Sequence, residues 1–345
     1  MATRREVIKA AAAGLAGLGI LGASTQTQAE EKAVAETNDK MIWGYLIHLG
    51  YNMWGDWDNP KIKLENWPAR PYLRCDEKLW DDLMPVMQEA GINLVVIDLG
   101  EGVQYQTHPE LAVKGSWSRE HLKEKLGQMR KLGIEPIPKL NFSTGHDIWL
   151  GDYSRRVSTE PYYKVCADLI GEVCDLFDHP RFFHIGMDEE TQEHQESYEY
   201  CVIRQHGLWW KDLLFFVGEV EKNKSRAWMW SDHVWRHHDE FFEKMPHSVL
   251  QANWYYGEPF NEDINYVKAY LDLEEKGYDQ IPAGSNWSSP KNFKNMVEYL
   301  SKKIDPKHLK GFLQTVWHPT LEGFRDKHLA AISQVGEARK EFSKG

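Results

Sequence analysis

Residues 183–190 read FHIGMDEE: an apolar run carrying one histidine breaks at a glycine and runs into three consecutive acids. A short apolar run bounded by a turn signal predicts a buried strand. Neighbouring carboxylates repel, and each resists ionisation, so the cluster costs stability unless solvent or a function uses it. Comparable apolar runs occur at residues 42–49, 92–99, 134–140, 182–187, 227–230, 249–254, 281–287 and 309–317, each followed by a longer, helix-like polar segment. Eight such βα units, with no Pro/Ser-rich linker between them, predict an α/β chain folded as one closed (β/α)₈ TIM barrel over residues 41–345. FHIGMDEE then ends strand four, at the mouth of the barrel.

The chain has 345 residues, 42% of them hydrophobic, enough for a full core. Arg4 and Arg5 precede Val7, Ile8 and Lys9, a Gly- and Ala-rich apolar run, and Thr27-Gln28-Ala29. Residues 1–29 therefore resemble a twin-arginine export signal cut after a small residue, and they imply the twin-arginine machinery as a partner and a periplasmic or secreted mature protein. The apolar run, residues 10–24, is too short and glycine-rich to span a bilayer of about 20 residues, so no stable membrane insertion is expected after cleavage. Residues 30–40 read as a tether. Without residues 1–29 the chain has 38 basic and 51 acidic residues, a balance of −13. That charge disfavours nucleic acid and anionic membranes and favours neutral or cationic ligands. The four cysteines read as packing residues, since Cys166 and Cys174 lie about 12 Å apart along one predicted helix.

In a barrel of this kind the functional face lies at the C-terminal ends of the strands, so polar and aromatic residues there carry weight. His48, Asn52, Trp54 and Asp56 follow strand one, Asp98 and Glu101 strand two, and Lys139, Asn141 and His146 strand three. Strand four delivers Asp188, Glu189 and Glu190. Strands five to eight deliver Trp230 with Asp232, Trp254 with Tyr255 and Tyr256, Asn286 with Trp287, and Trp317 with His318. Indole faces stack on the apolar faces of sugar rings while carboxylates and amides take the hydroxyls, so this set points to a carbohydrate pocket walled by Trp230, Trp254 and Trp317. Trp80, Trp209 and Trp210 fall on helices and read as core.

Glycoside hydrolysis needs a proton donor and a group that stabilises an oxocarbenium-like centre. Glu189 suits the donor, because crowding by Asp188 and Glu190 and partial burial are expected to raise its pKa. Strand seven ends Gly284-Ser285-Asn286-Trp287 and supplies no carboxylate nucleophile. Substrate-assisted catalysis dispenses with one, because the 2-acetamido oxygen of the sugar attacks instead. His184-Ile185-Gly186-Met187-Asp188-Glu189 resembles the His-x-Gly-Gly-Asp-Glu motif of glycoside hydrolase family 20, the β-N-acetylhexosaminidases. The segment GIEPIPKLNFSTGH ending at His146, Trp230-Ser231-Asp232, Gln251 to Trp254, and Trp317 resemble further family segments in order. The resemblance implies a retaining O-glycosyl hydrolase acting on an N-acetylhexosamine-containing glycan. Asp188 would orient the acetamido group and Glu189 act as general acid. Glu190 would be a structural or solvated neighbour, and no cofactor or metal is implied. His146, His184, Trp230, Asp232, Trp254, Tyr255, Tyr256, Trp287 and Trp317 would contact substrate. The chain departs from the family at Met187, at Lys139 and Asn141 where two acids are usual, and at Trp317-His318-Pro319. It also lacks an arginine after strand one and the family's small N-terminal domain.

Two other readings stand beside this one. A non-catalytic sugar-binding barrel fits the altered contact residues. A metal-dependent hydrolase could draw on His184, Asp188, Asp232, His233, His237 and His238, although Asp232 and His233 face opposite ways if strand five continues through them. For His184, a buried strand histidine and a site residue remain equal alternatives, and residues 235–240 read as a solvated loop or helix start.

Overall fold

Each of the eight apolar runs forms a strand. The structure is a computed structural model that describes residues 41–56 and 66–344, so the expected export signal and tether lie outside the described residues. The strands are β1 (Ile42–His48), β2 (Leu94–Asp98), β3 (Glu135–Lys139), β4 (Phe182–His184), β5 (Arg226–Trp230), β6 (Leu250–Ala252), β7 (Ala283–Ser285) and β8 (Gly311–Thr315). They pair in parallel in the order β6-β5-β4-β3-β2-β1-β8-β7. Parallel bridges from Gln251 to Gln280 and from Trp254 to Ala283 bring β6 onto β7 and close the ring. One helix follows each strand: α1 (Glu77–Ala90), α2 (Arg119–Lys131), α3 (Glu160–Leu176), α4 (Gly207–Lys222), α5 (His238–Lys244), α6 (Asn265–Glu275), α7 (Asn292–Leu300) and α8 (Arg325–Phe342). This is a (β/α)₈ TIM barrel.

The strands are buried on both faces, which is why they read as nearly continuous apolar runs rather than alternating ones. Leu46, Val96, Ile137, Trp228, Leu250 and Leu313 meet inside the ring. Helix ends follow local chemistry. The Ser118 hydroxyl accepts the His121 N–H at 3.1 Å to start α2, and Gly91, at φ 82°, ends α1 in the left-handed conformation that a side chain resists. Trp80, Trp209 and Trp210 are buried on their helices, as expected. Among the described residues no helix is long and apolar enough to cross a membrane. The cysteines are free, and Cys201 is exposed, so the packing reading fails for it.

Toward the mouth the interior turns polar. The Lys139 ammonium pairs with the Asp98 carboxylate, and His48 Nδ1 lies 3.5 Å from the same group, all three side chains buried. Burial alone would raise Asp98, but the charges and hydrogen bonds of Lys139 and His48 together outweigh it and hold the carboxyl at about 2. Strand β4 is shorter than its apolar run, because Gly186 and Met187 both take positive φ and turn the chain out of the sheet. A Cβ at Gly186 would lie 1.9 Å from Asn141 Oδ1, so only glycine fits there.

Candidate active site

Strand β4 therefore releases its acids through a tight turn rather than along an extended chain. Glu189 also has positive φ, at 55°. Successive residues of a strand face opposite ways, and the turn removes that constraint, so Asp188 and Glu189 both reach one imidazole. His146 Nε2 lies 3.4 Å from Asp188 Oδ2 and 3.2 Å from Glu189 Oε2. Asn141 Nδ2 donates to Asp188 Oδ1 at 2.9 Å. The Glu189 N–H donates to Asp232 Oδ2 at 3.0 Å, and His194 Nε2 lies 3.2 Å from Glu189 Oε1.

The protonation pattern differs from the sequence expectation. Burial raises Glu189, as crowding was expected to, but hydrogen bonds from His146 and His194 outweigh it and hold the carboxyl down at about 2. Burial would lower His146, and the Asp188 and Glu189 carboxylates more than offset it, lifting the imidazole to about 10. The raised acid is Asp232, pushed up to about 8 by burial and then by the charge of Asp188. Its Oδ1 is buried without a hydrogen-bond partner. At neutral pH the histidine and Asp232 thus hold protons beside the Glu189 carboxylate.

Above these groups lies a cavity of about 240 Å³ lined by Trp54, Trp67, Trp230, Trp254, Trp287 and Trp317, with Tyr256, His194, Asp188 and Glu189. Trp230 is buried and forms part of the floor, and Trp254 and Trp317 pack against the core beside it. Trp254 stacks on Tyr256 at 5.0 Å, and the Tyr256 hydroxyl accepts the Trp317 indole N–H at 3.0 Å. Trp317 itself has φ 44°, unusual for an aromatic residue, and its carbonyl accepts the Tyr51 hydroxyl at 2.9 Å. Trp287 stands at the rim, 43% exposed.

Four expected contacts do not line this pocket: His146 is buried and meets it through Asp188 and Glu189, and the other three are Tyr255, His184 and Asp232. Tyr255 points away from the pocket, toward Phe260 and Tyr266, because Trp254 and Tyr256 share one face of the extended chain and the residue between them takes the other. His184 lies beneath the pocket, wholly buried against Trp228 and Trp230, with Nδ1 accepting the Gly186 N–H at 3.1 Å. Asp232 lies behind the tryptophan-lined cavity and borders a second one. The Glu190 side chain is enclosed rather than solvated, 6% exposed, paired with Arg204 and accepting the Thr144 N–H at 3.1 Å. Asp232 and His233 belong to a 3₁₀ turn, Asp232–Trp235, so the opposite-face argument does not apply to them. The metal ligand set read from the sequence does not converge. Among the described residues, the groups of three with one donor atom each within 4.8 Å of the others are His146-Asp188-Glu189 and His233-His237-Glu240. Sequence reasoning missed Trp67 and His194, which come from loops distant from any strand end.

No protein-family model matches the chain, and no curated protein does. Solved structures do. A β-N-acetylhexosaminidase from Bacteroides fragilis aligns with TM-score 0.59 and 13% identity over 86% of this chain and 65% of its own. A Flavobacterium johnsoniae chitobiase gives 0.55 and 16% over 78% and 48%. A family 20 β-N-acetylhexosaminidase from Streptomyces coelicolor gives 0.59 and 12% over 86% and 64%. The chain thus spans between about half and two thirds of their lengths. At these identities the likeness establishes a shared barrel fold.

Proposed function

We propose that this protein is an exported glycoside hydrolase that cleaves N-acetylhexosamine-containing glycans with retention, the substrate's acetamido oxygen acting as nucleophile. The observation that carries this reading is the pair Asp188 and Glu189 on a shared His146 at the floor of a tryptophan-walled pocket. One oxygen of each lies within 4.8 Å of one of the other's. That is too close for the roughly 6.5–9.5 Å between the carboxyl groups of inverting enzymes. Among the described residues lining this pocket, Asp188 and Glu189 are the carboxylates. Among the described residues no second strand supplies this pocket with a carboxylate nucleophile, which favours internal attack. Asp188, oriented by Asn141, accepts the acetamido N–H and turns its oxygen toward the anomeric carbon. Glu189 protonates the leaving oxygen, and His146 supplies the proton that the resting carboxylate lacks. Deglycosylation then returns a proton from water through the same pair. The small volume of the pocket suits one sugar ring. Arg4-Arg5 supports export to the periplasm or beyond.

One observation favours a variant of this mechanism. Asp232 keeps its proton up to about 8, so it competes with Glu189 for the donor role. Aryl N-acetylglucosaminides with good and poor leaving groups separate the two. Glu189→Gln should slow poor leaving groups far more than activated ones, because a good leaving group needs little protonation. That selective loss in Asp232→Asn instead would transfer the role, and no turnover by the wild-type protein would leave a binding barrel.

A further inference from the structure

Behind Glu189, a second cavity of about 610 Å³ adjoins the tryptophan pocket and shares Glu189, His194 and Trp254 with it. A single sugar ring leaves it unused. Its wall carries His233 and His237, joined by a helical turn in which the His237 N–H donates to the His233 carbonyl at 3.1 Å. Spacing of four and then three residues sets His233, His237 and Glu240 on one face of that turn. One donor atom from each lies within 4.8 Å of the others. The two imidazoles stack at 4.3 Å and 18°, and Trp209 covers the outer face of His233 at 3.7 Å and 6°. The stack fixes the plane of His233. Among the described residues neither imidazole has a hydrogen-bond partner.

We propose that His233, His237 and Glu240 bind a divalent transition-metal ion of the zinc class, with a coordination position open to the larger cavity. Two imidazoles and one carboxylate match borderline metals and mismatch magnesium and calcium, which take oxygen donors. Bonds of about 2.0–2.1 Å place tetrahedral donors about 3.4 Å apart; with His233 held against Trp209, the exposed His237 ring must turn out of its stacked orientation to bring its nitrogen to the ion. Three protein ligands leave the fourth position to water or to a ligand in the cavity. The Lys244 ammonium rests on Glu240 Oε1 at 2.6 Å and, with the Trp210 indole N–H, competes with the ion for that carboxylate.

The test uses the full chain, purified without a histidine tag, stripped of metal and titrated calorimetrically with zinc, magnesium and calcium. One zinc per chain is expected, with no heat of binding from the other two ions. His237→Gln and Glu240→Gln should each weaken zinc at least tenfold, Lys244→Met should tighten it, and Glu189→Gln should leave it unchanged. Thermal melts confirm that each variant folds, and Trp209's partner His233 is left intact for that reason. Zinc bound no more tightly than magnesium overturns the proposal. So does binding that survives His237→Gln and is lost in Glu189→Gln, which would put the ion on His146, Asp188 and Glu189.

Discussion

Asp232→Asn should stabilise the protein at neutral pH. The carboxyl titrates at about 8 in the folded chain against an ordinary 3.8. Between those values the unfolded chain has released the proton that the folded chain keeps, so stability falls as pH rises through the window. Each pH unit costs about 1.4 kcal/mol, which by pH 7 is about 4 kcal/mol as an upper bound; relaxation and water entry around a buried group reduce it to about 2 kcal/mol. Asparagine keeps an oxygen for the Glu189 N–H and carries no charge to titrate. Urea unfolding of both proteins between about pH 5 and 9 measures the difference. The gap in favour of the variant should widen with pH up to about 8 and then level off. A gap independent of pH, or one that widens toward acid, would refute the assignment of the raised proton to Asp232.

His146→Gln should move the basic limb of the pH–rate profile to lower pH, because the imidazole keeps its proton to about 10 and glutamine supplies none. The same raised pKa stabilises the fold fully below about 6.5 and is lost as pH rises through about 10, so the variant's stability deficit should shrink in alkali. Glu190→Gln should cost about 2–3 kcal/mol in urea unfolding and leave KM unchanged. Losing one partner of a buried pair costs about 3–5 kcal/mol, and Asp212, 3.2 Å from Arg204, retains part of the compensation. Replacing Arg4 and Arg5 by lysine should retain the protein in the cytoplasm on cell fractionation, and unchanged export would remove the signal reading.

The barrel was legible because burial on both faces leaves a mark in composition, and strand ends could be located from where apolar runs meet polar residues. The tryptophan wall was legible by the same rule. Alternation along one extended segment was applied too loosely: Trp254 and Tyr256 share a face, and Tyr255 between them cannot. The acidity of Glu189 was misread for a different reason. Its chain neighbours are acids, visible in sequence, but His146, which offsets them, stands 43 residues away and meets it only through the fold. Trp67 and His194 arrive on loops whose course no periodicity encodes. The turn at Gly186 was the exception, since an acid pair meeting one pocket requires the chain to bend there.

The most direct test of internal attack is to vary the attacking atom. A series of aryl 2-acetamido glycosides carrying none, one, two or three fluorines on the acetyl group changes the nucleophilicity of the amide oxygen while altering little else. If that oxygen attacks the anomeric carbon, kcat/KM should fall steeply with each fluorine, and Asp188→Asn should slow the unfluorinated substrate by misplacing the amide. A flat response across the series, or equal turnover of the 2-hydroxy analogue, would contradict substrate assistance and require a carboxylate nucleophile from the protein.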